Sequence, residues 1–181
     1  MLRKNALIAT ALAALAVATP ALAALKVYSY DPADAATKGY VDNGLTFAFD
    51  KNLVGFRVRE VFATQAKASA LVDPADEKEL GAPLARLLPS GAIEHALYRV
   101  RDEEQGLAMV KALCPGSSHG WLVFGTFRAR EGLTVDALGD DPATGKARLC
   151  ATLKFIFHGE WIMPRGDPTI PTPPPYPPNP F

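Results

Sequence analysis

The chain has 181 residues, 49% of them apolar, and balances 19 Lys+Arg against 19 Asp+Glu. Charge this even, with no basic cluster, argues against a nucleic-acid partner, because neutralising phosphates takes grouped Lys and Arg. Beyond the first residues, no stretch approaches the roughly 18 consecutive apolar residues of a membrane helix.

Met1 to Ala23 reads as a secretory signal peptide. Arg3 and Lys4 make a basic start, Ala6 to Ala18 is an apolar run broken only by Thr10, and Ala21-Leu22-Ala23 is the small-x-small pattern of a cleavage site. The run is too short to span a bilayer as a helix. Cleavage after Ala23 removes two cations and leaves residues 24–181 with a net charge of about −2. The Ala-rich leader points to the bacterial periplasm, with secretion to the exterior as the alternative. No Cys follows it to carry a lipid.

Leu25 to Tyr30 is a short β-prone run ended by Asp31-Pro32. Asn43-Gly44 signals a turn, and Leu45, Phe47 and Phe49 then alternate with Thr46, Ala48 and Asp50 as a strand with one apolar face. Val54, Phe56 and Val58 continue the alternation until the phase slips, so a bulge or break is expected near Arg59–Glu60. Asp73-Pro74, followed by Asp76 and Glu77, reads as a helix start. A second helical piece, Pro83 to Leu88, ends at Pro89-Ser90-Gly91.

Asp102 starts the clearest helix. Gln105 stands at capping-box spacing, and Leu107, Val110 and Cys114, widened by Met109 and Leu113, form an apolar stripe. Trp121 to Arg130 and Leu133 to Leu138 read as strands. Leu149 to Met163 is the most periodic segment. Leu149, Leu153, Phe155, Phe157, Trp161 and Met163 are placed on one face, with Cys150, Thr152, Lys154, His158 and Glu160 on the other. Both tryptophans are assigned to the core.

The expected fold is α+β: one small domain over residues 24–164, with a mostly antiparallel sheet and two or three short helices on one side. Cys114 and Cys150, the only cysteines, form a disulfide in an oxidising compartment. Closing a loop of about 36 residues is worth roughly 3–4 kcal/mol in the chain-entropy model. Residues 165–181 form a Pro-rich tail, with eight prolines between Asp167 and Phe181, and are expected to be disordered or extended polyproline II.

Several motifs invite a chemical reading. Gly116-Ser117-Ser118-His119-Gly120 matches the nucleophile elbow, and an Asp and then His158 follow in the order of a Ser, Asp, His triad. A helix before the motif and a strand after it reverse the required context, so Ser118 and His158 are weak catalytic candidates. Gly139 to Lys146 has one residue too many between its glycines for a phosphate loop, and Ala147 follows the Lys. His158-Gly159-Glu160 has deaminase spacing without the partnering P-C-x-x-C, and Asp136, Asp140 and Asp141 lack EF-hand spacing. His95, the remaining histidine, joins no cluster. Neither a cofactor nor a metal is implied.

The expected role is that of an exported, soluble, non-enzymatic binding or envelope-interaction module. Its tail, with P-x-x-P at Pro171–Pro174 and Pro175–Pro178, is a possible ligand for an envelope protein. The alternatives are a small secreted hydrolase using a Ser/His site and a periplasmic inhibitor or chaperone-like protein.

Overall fold

A computed structural model of the chain describes residues 25–163 apart from 53–54, 64–67, 90–95 and 129. The leader with Ala23, the tail and His95 lie outside the described residues. Eight strands follow one another, β1 (Leu25–Pro32), β2 (Leu45–Asn52), β3 (Gly55–Ala63), β4 (Ala68–Pro74), β5 (Ala96–Val100), β6 (Gly120–Phe124), β7 (Leu133–Asp140) and β8 (Ala147–Met163). Each pairs antiparallel with the next, and β8 pairs with β1, so the sheet closes into a barrel. Three short α-helices, α1 (Ala35–Tyr40), α2 (Leu84–Leu87) and α3 (Glu104–Leu113), sit in the connections, with a 3-10 turn at Glu77–Leu80.

The fold is therefore a closed all-antiparallel barrel, which corrects the α+β expectation. Two strands were hidden. β4 carries small residues, Ala68, Ser69 and Ala70, and gives a weak alternation signal. Its end, Asp73-Pro74, resembles a helix cap, but Asp73 is held by Arg101 across the sheet. The real cap is Asp76, which forms a capping box with Glu79 and starts the 3-10 turn. β5 was masked by Arg99 and its short length. Closure itself depends on β8, whose 17 residues pair with β7 over the first half and with β1 over the second.

Three β-bulges set the phase of the walls. Ala48 faces Glu60 while Phe49 faces Val58, so Arg59 is an extra residue, as the phase slip in the sequence implied. Leu138 faces Leu149 while Ala137 faces Ala151, so Cys150 is extra. Ser29 faces Gly159 while Tyr30 faces Phe157, so His158 is extra. A bulge re-aims the side chain it carries and flips the alternation beyond it. Leu149 and Trp161 therefore leave the face of Phe155 and Phe157 and turn outward. The single apolar face read along β8 is corrected on this point.

The interior is aromatic and closed. Tyr30, Phe47, Phe49 and Phe124 are almost fully buried, with Val58, Val61, Val135 and Leu153 between them. α3 covers one end with Met109, Val110, Leu113 and Cys114, most of the apolar stripe expected of it, while Leu107 is only half-buried. Its capping box does not form. Asp102 accepts from Arg99, and Gln105 accepts from the Ser69 amide and hydroxyl on β4. At the other end, the segment after β6 leaves the sheet, which corrects the strand expected through Arg130. Phe127 turns in against Phe47, Phe49, Phe56 and Phe124, with ring centroids 5.3–6.3 Å apart. A gap of about 10 Å³ remains between α3 and the sheet. Within the wall, the Tyr30 hydroxyl is buried with no hydrogen-bond partner among the described residues, and burial pushes its ionisation far up.

A second apolar cluster lies outside the barrel. Leu80, Leu84 and Leu88 cover Trp121, Val123, Leu138 and Ala147, so every residue of β6 is buried. Elsewhere the outer face carries Asp50, Arg57, Arg59, Asp73, Arg99 and Lys154. An outer-membrane barrel has the reverse polarity, with an apolar exterior and a polar interior. No described helix is long and apolar enough to cross a membrane.

Candidate functional site

Alternation places Arg99 on the outer face of β5, between the buried Tyr98 and Val100, directly opposite Asp73 of β4. Arg101 follows at the strand end and forks onto Asp73, with Nε to Oδ2 at 2.6 Å and Nη2 to Oδ1 at 3.0 Å. Arg99 bonds Asp102 at 2.7 Å, and on the neighbouring wall the bulged Arg59 bonds Asp50 at 2.7 Å. The Arg101 fork is the main force holding the Asp73 carboxyl below the usual carboxylate range. Partial burial opposes the shift, while the charges of Arg101, Arg57 and Arg59 add to it.

Together Asp73, Arg99, Arg101, Asp102 and Glu103 line an open depression of about 420 Å³ between β4, β5 and the start of α3. Its pairs are water-exposed, so each contributes little to stability and remains able to exchange partners. Chemically, guanidinium forks match carboxylates and phosphates bidentately. None of these arginines was singled out in the sequence. The available signal was Arg-x-Arg at residues 99 and 101, which strand periodicity points to the same outer face.

The expected catalytic candidates fall into two separate places. Ser118 lies in the turn between α3 and β6. Its amide and that of His119 both donate to Asp140 Oδ1 at 2.7 Å, and His119 Nδ1 lies 3.3 Å from Asp140 Oδ2. Burial raises the Asp140 carboxyl, but the two amides and His119 outweigh it and the group sits below its ordinary range. The Ser-rich motif is thus a turn held by an aspartate. Gly139 completes the packing beside it, where a Cβ would meet Ser117 Oγ at 2.3 Å and Cys114 Cβ at 2.7 Å.

His158 belongs to another wall. Its Nδ1 is 2.8 Å from Asp31 Oδ2, and its ring stacks on Trp161 with centroids 6.3 Å apart and planes 17° apart. Asp140 pairs with Ala147 at the start of β8, eleven residues before His158. At ~3.3 Å per residue, the two sites are separated by roughly 35 Å along the strand. Ser118 and His158 are not brought together. Glu160, the other half of the deaminase-like spacing, pairs with Lys26 instead. Among the described residues no three His, Cys, Asp or Glu side chains group as a metal site.

The disulfide is formed. Cys114 at the end of α3 and Cys150 at its bulge have Cα atoms 5.2 Å apart, inside the bridging limit of about 7 Å. It ties the helix that closes one end of the barrel to the wall beneath it. Compared with known proteins, the chain matches no family model, no curated protein and no solved structure.

Proposed function

We propose that the protein is an exported, non-enzymatic interaction module that works through the outside of its barrel. One observation carries this reading: buried side chains pack the interior, whereas an open depression on the outside is lined by Arg99, Arg101, Asp73, Asp102 and Glu103. The complementary partner is an envelope protein presenting carboxylates to the two arginines, which exchange their present acidic partners for those of the ligand. The disulfide, the export signal and a charged outer face support a site of action in the periplasm.

The hydrolase alternative lacks support from geometry, since Ser118 and His158 each serve a different aspartate. An inhibitor or chaperone-like role is favoured by one further feature, the bare Ile156 and Trp161 on β8.

The test is capture from envelope extract by the chain from residue 24, by a form ending at Pro164, and by Arg99→Glu/Arg101→Glu. A partner held by the first two, lost by the third and released by salt supports the reading. Identical capture by all three overturns it, and loss with the shortened form moves the contact to the tail.

A further inference from the structure

The outer face of β8 carries an aromatic ledge. Trp161 is 47% exposed and Ile156 54% exposed, although both stand on a regular strand wall. The ledge is built deliberately by the local chain. The bulge turns His158 outward, Asp31 fixes its ring, and Trp161 lies against it. Gly159 leaves the space for this: a Cβ there would come within 2.8 Å of the Trp161 ring. The result is two flat rings side by side with Ile156 exposed further along the same strand, the kind of surface on which proline rings stack in polyproline recognition.

We propose that this ledge is the docking site of the chain's own Pro-rich tail. Two residues separate Trp161 from the point where the described structure ends, and eighteen residues follow Met163. Pro164 to Pro168 contain Gly166-Asp167-Pro168, a turn sequence long enough to reverse the chain. Pro171 to Pro178 then span about 25 Å at ~3.1 Å per residue. Ile156 to Trp161 covers about 15 Å of strand. The tail lying antiparallel to β8 thus reaches the whole ledge.

Charge makes the same choice. Beyond Arg165 the tail carries one charged side chain, Asp167, and its apolar members include Ile170, Tyr176 and Phe181. The depression lined by Arg99 and Arg101 matches only Asp167 of such a segment, whereas the ledge presents Trp161, His158 and Ile156 to its apolar members. Tethering completes the argument. A segment joined through a short linker has an effective concentration in the mM range, so even a site with Kd of about 1 mM is about half occupied or more in the intact chain. A polyproline segment also loses little conformational freedom on docking. The inference does not depend on the Arg99–Arg101 reading and stands or falls separately.

Trp161 is its own reporter, because Trp121, the only other tryptophan, is buried. Acrylamide quenching is measured on three proteins: residues 24–181, the same chain ending at Pro164, and the full chain with Pro171, Pro174, Pro175 and Pro178 changed to Ser. The Trp161→Phe form of each supplies the Trp121 background. The expected result is a quenching constant for Trp161 about two- to threefold higher in the second and third proteins, independent of protein concentration. Equal quenching in all three overturns the proposal. Protection that appears only as protein concentration rises also overturns it, in favour of the tail of a second copy.

Discussion

Trp121 and Trp161 both point outward from the barrel, yet one is 5% exposed and the other 47%. The strands that carry them do not explain the difference. Trp121 lies under Leu80, Leu84 and Leu88, which the connection between β4 and β5 folds back over the β6–β7 wall. Trp161 stands on the β8–β1 wall, where no described element covers it. A closed barrel has one inside, but its outer walls have separate fates, set by which connection is long enough to return over them.

Substituting the two tryptophans is the strongest way to break this comparison. Trp121→Ala opens the outer cluster and is expected to cost about 3–5 kcal/mol, whereas Trp161→Ala costs less than about 1. Urea unfolding followed by circular dichroism reads both, and equal losses would show that the two walls are covered alike. The disulfide gives the next largest effect. It anchors the half of β8 that pairs with β7, so the Cys114→Ser/Cys150→Ser double variant should lose about 2–4 kcal/mol. Hydrogen exchange should then rise first in α3 and in β8 around residue 150; uniform protection across the barrel would contradict that anchoring.

The smallest effect belongs to the charged wall. The Asp73 carboxyl is depressed by Arg101, so its stabilising contribution is present above the unfolded pKa and is lost as pH falls through the folded one. Asp73→Asn should therefore flatten the acid limb of the stability profile slightly and leave stability at higher pH lower by about 0.5 kcal/mol or less. An unchanged acid limb would mean that the Arg101 fork contributes nothing to the fold.

Tyr30 exposes a different kind of balance. Leaving a buried hydroxyl without a partner costs about 1–3 kcal/mol. Among the described residues the Tyr30 hydroxyl meets no partner, and its ring packs edge-on against Tyr28, Phe47, Phe155 and Phe157. The Tyr98 hydroxyl, by contrast, accepts from the Val58 amide at 3.1 Å.

Much of this was readable from residues alone, for a local reason. Strand β2, the slip at Arg59, the stripe of α3 and the strand character of β7 and β8 all follow from the spacing of apolar side chains over a few residues. The eligibility of Cys114 and Cys150 for a bond followed from their being the only two cysteines and from the oxidising compartment expected of the chain. What the spacing did not carry was phase beyond a bulge. Leu149 and Trp161 match Phe155 and Phe157 by count, but the extra residues Cys150 and His158 turn them to the opposite face. The candidate site was less legible still. Arg99 and Arg101 looked like ordinary solvated charges until β4 placed Asp73 beside them.

The sequence by itself determined which segments extend, which helix has an apolar stripe and which sulfurs can meet, because period and capping act between neighbours in the chain. Tertiary structure alone decided that β8 would reach β1 and close the sheet, that β4 and β5 would be strands despite small and charged residues, and that Trp121 would be covered while Trp161 was left bare. Each of those outcomes depends on pairing and burial between residues far apart in the chain, where alternation shows that a strand has two faces without specifying what meets them.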